Sequence, residues 1–257
     1  MNITRRIFQI SIVIAALTVG VRYAMGDSRI TVETYCPFGG LEGLLSLVTH
    51  HQFTCATGER NLILFIALLV LTLLSRRVFC SWICPVGTLS EGIFRLRKRR
   101  RTPAAISRKW DRRLRLIRLP VLLIILFLTF LTGELIFRGV DPYYVLFSIH
   151  GHDVQWWSYI VIGFIVAGIV AVPMAWCRYL CPLGVALWPF SRIGLIRLKR
   201  TGACIQCGKC DDACPWGIDV SRAETITSGE CTLCLECTRV CPVKDALELR
   251  TPGGAPR

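Results

Sequence analysis

The apolar positions of this chain fall into four long runs, not into a strict alternation or a short amphipathic period. They cover positions 7–25, 62–78, 117–137 and 156–176. Each approaches the roughly 20 apolar residues that a helix needs to cross a bilayer. Each is predicted helical, because only a helix satisfies its own backbone groups in lipid. Polar positions gather in the connecting segments and take over after about position 201, where Gly, Cys and charged residues replace the apolar runs. The pattern predicts a membrane all-α domain of four transmembrane helices at 1–200, a small α+β domain at 201–250 and a disordered tail at 251–257.

Composition supports this division. Of 257 residues 53% are hydrophobic, and the formal net charge is +14. In a soluble protein such a charge would point to nucleic acid. Here the basic residues flank the apolar runs: Arg5 and Arg6, then Arg95 through Arg118, then Arg178 through Arg200. The segments at 26–60 and 138–155 carry few. By the positive-inside rule both termini and the C-terminal domain face the cytoplasm, in a multi-pass protein of the cytoplasmic membrane. The basic run then serves topology and anionic lipid, and no nucleic-acid partner is expected. Thr4-Arg5-Arg6-Ile7-Phe8 is similar to a twin-arginine export signal. No small-residue cleavage site follows, so it is read as an uncleaved anchor.

Fourteen cysteines are too many, and too regularly spaced, for chance. Cys204, Cys207, Cys210 and Cys214-Pro215 form one run, and Cys231, Cys234, Cys237 and Cys241-Pro242 repeat it. This is the spacing of bacterial two-cluster ferredoxins, in which the fourth cysteine of each run ligates the other cluster. One [4Fe–4S] cluster is expected on Cys204, Cys207, Cys210 and Cys241. The other is expected on Cys231, Cys234, Cys237 and Cys214.

Cys80-Ser81-Trp82-Ile83-Cys84-Pro85 follows the second apolar run, and Cys177-Arg178-Tyr179-Leu180-Cys181-Pro182 follows the fourth. The membrane part thus reads as two tandem helix-pair repeats, related by an axis along the membrane normal. The segments Cys36-Pro37-Phe38 and Asp141-Pro142-Tyr143 echo one another more weakly. Cys80, Cys84, Cys177 and Cys181 together offer four thiolates for a third metal centre. A cubane or copper(I) would suit them, and unliganded thiols at a packing surface are the alternative. Cys36 and Cys55 lie on the predicted outer side, where a disulfide is expected, with a redox or metal role as the alternative. His50, His51, His150 and His152, with Glu33, Glu42, Glu134 and Asp141, are candidates for proton exchange with a quinone. Solvated interfacial side chains are the competing reading. Tyr143, Tyr144, Trp156 and Trp157 are read as an interfacial belt.

Phe79 through Pro85, Trp176 through Gly184 and the eight ferredoxin cysteines resemble the membrane polyferredoxins of the NapH and NosR type. Thr34 through Glu42 is also similar to a segment of a broad subgroup of 4Fe–4S membrane proteins. The resemblance implies quinol oxidation, with electrons passed to a periplasmic or membrane redox partner such as a cytochrome c or an iron–sulfur subunit. A related branch implies copper handling during oxidase assembly. A non-catalytic anchor of a redox complex is the third reading. The chain has no CxxCH haem motif, and no motif fixes a quinone site.

Overall fold

The structure, a computed structural model, describes residues 2–25, 36–51, 58–96, 108–133, 137, 141, 142, 144, 145 and 156–251. Helix α1 spans Asn2–Ala24, α2 Gly39–His50, α3 Gly58–Ser75, α4 Val78–Trp82 and α5 Pro85–Leu96. Then come α6 Arg108–Leu114, α7 Arg118–Thr132 and α8 Trp156–Ala171. A π-helical turn at Trp176–Leu180 leads into α9 Pro182–Ala186 and α10 Trp188–Ile193. Strand β1 Arg197–Arg200, α11 Lys209–Asp212, α12 Glu236–Val240 and β2 Leu247–Arg250 form the C-terminal domain.

Among the described residues, three helical stretches are long and apolar enough to cross a membrane: Ile3–Tyr23, Gly58–Ser75 and Trp110–Thr132. The protein is a membrane protein. The fourth expected run gives α8, whose 16 residues end ahead of Pro173. Proline lacks an N–H and disfavours helix in the residue before it, so the helix stops short of the predicted boundary. The spanning helices are apolar around their circumference. On α3, Phe65, Leu68 and Thr72 face the bundle at three- and four-residue intervals while Ile63, Ile66 and Val70 are exposed. On α7, Leu122, Ile125 and Thr129 are buried while Leu123, Phe127 and Phe130 are exposed. Exposed apolar faces of this extent fit lipid and not water. Helix α7 ends on Gly133, whose left-handed backbone (φ 69°) lets its N–H return to Thr129 O at 2.8 Å.

Helix α2, in the segment read as a loop, packs along α3 through Gly40. A Cβ there would lie 2.2 Å from Asn61 O and 2.6 Å from Phe65 Cβ. Its buried Glu42 accepts a hydrogen bond from Thr129 Oγ1 at 3.0 Å, tying α2 to α7.

The C-terminal domain is built on a two-stranded antiparallel sheet, with Leu198 opposite Leu249. It is seated on the bundle by arginines. Arg76 and Arg77, just past α3, are fully buried. Arg76 donates to Ser228 O at 3.0 Å, Ser191 O at 3.1 Å and Ile226 O. Arg77 and Arg118 both pair with Glu230, and Arg115 donates to Trp216 O at 2.7 Å. Arg5 reaches Cys234 O at 2.9 Å, Ser81 O at 3.0 Å, Glu91 and Glu236. The expectation that these charges meet lipid is corrected for Arg5, Arg115, Arg118 and Arg178. Each is largely buried and paired with an acid or a carbonyl.

Candidate iron–sulfur centres

The two ferredoxin loops are built alike. Gln206 and Gly208 follow Cys204 by two and four residues, and Leu233 and Leu235 follow Cys231 at the same offsets. All four adopt positive φ, at 54°, 73°, 48° and 58°. Two left-handed residues per loop curl the backbone around a concavity and turn its amides inward; Gln206 N–H points at Cys204 Sγ at 3.5 Å. A left-handed leucine costs about 1 kcal/mol. Two of them in one loop mark a conformation held for what it encloses.

Two cavities result. One, enclosing about 360 Å³ free of protein atoms, is lined by Cys204, Cys207, Cys210 and Cys241. The other, about 400 Å³, is lined by Cys214, Cys231, Cys234 and Cys237. In each, three cysteines of one run meet the fourth of the other. Burial raises the thiols of Cys214 and Cys231, and burial with Cys214 nearby pushes Cys234 up to about 12. Left as thiols they would be neutral, poorly packed polar groups; iron would hold them as thiolates.

A third cavity, about 570 Å³, lies inside the bundle. Cys80, Cys84, Cys177 and Cys181 all line it. The two motifs close in the same way. Cys84 N–H donates five residues back to Phe79 O at 2.8 Å, and Cys181 N–H to Trp176 O at 2.9 Å. These π-type closures depart from regular i,i+4 helix and turn both cysteines of each motif toward the cavity. Each motif then restarts a helix on proline, where the missing N–H costs nothing. Gly87 allows this fold-back, since a Cβ would sit 2.0 Å from Cys80 O. Burial lifts the Cys177 thiol, and Cys181, Cys84 and Cys80 lift it further.

The weak echo between the connecting segments has a structural counterpart. Cys36 and Asp141 line the same third cavity, and Cys36 Sγ donates to Asp141 Oδ2 at 3.2 Å. Cys36 carries a free sulfur, turned inward. The disulfide expected with Cys55 turns on a residue that lies outside the described residues. Phe38 packs edge-on against Phe137 at 5.0 Å, and Phe137 stacks on Trp176 at 6.4 Å. By chain direction these segments belong to the end of the bundle opposite the cysteine motifs, so the cavity is reached from both ends.

Among the described residues, no three His, Cys, Asp or Glu side chains gather closely enough to hold one metal ion.

The 4Fe-4S binding domain model matches residues 57–103 and again residues 154–201, each match holding one motif. The 4Fe-4S dicluster domain model matches 197–242. An uncharacterised protein of Methanocaldococcus jannaschii is 35% identical, over 71% of this chain and 75% of its own. YccM of Escherichia coli is 30% identical over 81% of this chain and 63% of its own. The ferredoxin-type protein NapH of the same organism is 27% identical over 66% and 60%. NosR, NirI and MauN proteins also match. The chain belongs to the NapH/NosR-type family of 4Fe–4S membrane proteins. It is an iron–sulfur protein of an electron-transport family. The chain spans less than two thirds of the length of YccM and of NapH. No solved structure matches it.

Of the residues singled out for quinone chemistry, the fold separates those it describes. Glu42 and Asp141 are buried. His50 is exposed, its Nε2 3.0 Å from Phe130 O, and His51 is exposed in a left-handed cap. His150, His152, Glu33 and Glu134 lie outside the described residues, as does Tyr143. Of the interfacial aromatics, Trp156 is exposed while Tyr144 is buried. Sequence reasoning missed Arg5, Arg77, Arg118 and Glu230. The available signal was an acid beside Cys231 in a chain where bases outnumber acids 31 to 17.

Proposed function

We propose that this protein is a membrane quinol-oxidising electron-transfer subunit carrying three [4Fe–4S] clusters. Two would be held in the ferredoxin domain, on Cys204, Cys207, Cys210 and Cys241 and on Cys231, Cys234, Cys237 and Cys214. The third would be held inside the bundle on Cys80, Cys84, Cys177 and Cys181. When bound, such clusters accept and release one electron at a time. The observation that carries the reading is the convergence of two cysteines from each motif on one buried cavity that abuts the ferredoxin domain. Cys214 and Trp216 share a continuous apolar core with Cys80 and Cys177. Ser81 Oγ donates to Thr232 O at 2.8 Å and Trp82 Nε1 to Leu233 O at 3.2 Å. These bonds join the first motif to the loop between Cys231 and Cys234.

In this reading the four apolar runs are two helix-pair repeats spanning the cytoplasmic membrane, with both termini inside. A quinol gives up two electrons and two protons. Glu42 and Asp141, buried near the third cavity, are placed to take a proton, and the electrons leave through the clusters to a cytochrome c or iron–sulfur partner. Entry of Cys36 and Asp141 from the far end shortens the distance between the clusters and a partner on that side.

The test is anaerobic purification in detergent, iron and sulfide analysis, and EPR after adding a menaquinol analogue. Three clusters per chain, falling to two in Cys80→Ser, together with quinol-dependent reduction, are expected. Two clusters in the wild type would refute the third centre. Clusters that answer dithionite but not quinol would refute the quinol reading.

A further inference from the structure

We infer that Arg77 is the charge-compensating donor of the centre inside the bundle, holding its reduction potential up through a guanidinium edge aimed at the cluster. The inference rests on the three-cluster reading above.

Arg77 has no exposed surface, and it lines the cavity that Cys80, Cys84, Cys177 and Cys181 line. Only one of its nitrogens is matched: Nη1 donates to Glu230 Oε2 at 2.7 Å. Its Nε and Nη2 are buried and have no hydrogen-bond partner in the protein. Burying donors of a charged group without acceptors costs more than a neutral pair would recover. A guanidinium is always charged, so it cannot escape by losing its proton. Acceptors of negative charge must therefore meet that edge. Besides Arg77, the cavity's polar lining is cysteine sulfur and the Asp141 carboxylate, which accepts from Cys36 and makes no hydrogen bond to the free edge of Arg77; a cubane bound by four thiolates brings net negative charge and further sulfurs.

Three neighbours fix the guanidinium in place. Glu230 anchors Nη1 from the ferredoxin side and is itself held by Arg118. The Trp216 ring lies 5.2 Å from the guanidinium carbon, a cation–π contact. Gly184 provides the space, since a Cβ there would lie 2.6 Å from Arg77 Nη2. The glycine after the second Cys-Pro thus makes room for the arginine that precedes the first motif. The second motif does not repeat the arrangement: Met174 stands three residues before Cys177, as Arg77 stands three before Cys80, and is apolar and buried. Trp216 sets Arg77 beside the cavity of Cys214 and Cys231.

The experiment is an EPR-monitored redox titration of the full-length protein in detergent, with iron analysis alongside. Arg77→Met should lower the midpoint of the membrane centre by at least the 59 mV that shifts a one-electron equilibrium tenfold. The cluster on Cys204, Cys207, Cys210 and Cys241 should hold its midpoint. Glu230→Gln, which keeps the acceptor and removes the opposing charge, should move the membrane centre upward. An unchanged midpoint in Arg77→Met with full iron content overturns the inference. If Arg77→Met does not retain the membrane cluster, Glu230→Gln decides, and a fall or no change there overturns it. Finding only two clusters in the wild type fails the three-cluster reading instead, which iron analysis reveals before any variant is made.

Discussion

Arg5 and Arg6 stand side by side near the N-terminus and have opposite environments. Arg5 is 3% exposed, while Arg6 faces outward. Arg5 Nη1 donates to Cys234 O and Glu236, and Nη2 to Ser81 O and Glu91, so one guanidinium joins α1, α4, α5 and the ferredoxin domain. Replacing it by Met keeps the volume and leaves Glu91 and Glu236 buried without that cation. Removing one partner of a buried pair costs about 3–5 kcal/mol. Glu236 keeps Arg239 at 2.8 Å, so the low end applies. About 3 kcal/mol, at about 1.4 kcal/mol per factor of ten, is roughly a hundredfold in the opening equilibrium of the domain. Iron release to an excess of chelator reads that equilibrium when opening and closing are fast. Arg5→Met should release iron about a hundredfold faster than wild type. Arg6→Met, a surface change, should stay within about 0.5 kcal/mol, or roughly twofold. Equal acceleration in the two variants, or none in Arg5→Met, would refute the reasoning.

Further outcomes follow from the site geometry. Cys214→Ser should remove the cluster shared with Cys231, Cys234 and Cys237 and spare the other ferredoxin cluster; loss of the EPR signal of the first run instead would mean that the ligands do not cross over. Gly87→Ala should drive a Cβ into Cys80 O and lose the membrane centre alone, which the ratio of iron to protein will show. Gly40→Ala should push α2 off α3 at about 1–3 kcal/mol, the usual cost of overpacking, visible as a lower melting temperature in detergent. Cys36 should resist alkylation in the folded protein and react after denaturation without reductant. A requirement for reductant would instead establish a disulfide.

Much of the chemistry was legible because it is local. A ferredoxin loop places its ligands within seven residues, so spacing alone names Cys204, Cys207 and Cys210, and a Cys-Pro pair names the fourth. What the chain does with its charges was not legible. An arginine beside an apolar run looks the same in sequence whether it meets a phosphate headgroup or an acid on another domain. Arg77 and Arg118 flank spans as topology signals do, and only their meeting at Glu230 shows that they seat the ferredoxin domain. The fourth apolar run was overextended because hydropathy registers Val172 and Met174 but not the break that Pro173 imposes between them. Helix α2 was missed because its three glycines argue against a helix. Gly39 and Gly40 serve close packing on α3, and that gain is tertiary.

The division of ligands between the halves of the bundle has a consequence for assembly. Neither motif supplies more than two thiols, so neither half alone can complete a four-thiolate site. Cys80 and Cys84 are fixed by the fold-back under Gly87, and Cys177 and Cys181 by the matching closure at Trp176. The two sets meet when the halves pack on each other, α2 against α7, α5 against α8 and α3 against α10. On the three-cluster reading, cluster insertion and closure of the bundle are one event, and binding energy at the centre becomes folding energy of the membrane domain. Glu230 links this event to the ferredoxin domain, because it cannot stay buried until Arg77 and Arg118 are both in place. The domain can therefore seat firmly only on a bundle already closed around its cysteines, which on the three-cluster reading keeps the ferredoxin clusters from docking onto a membrane half with no centre to exchange electrons with.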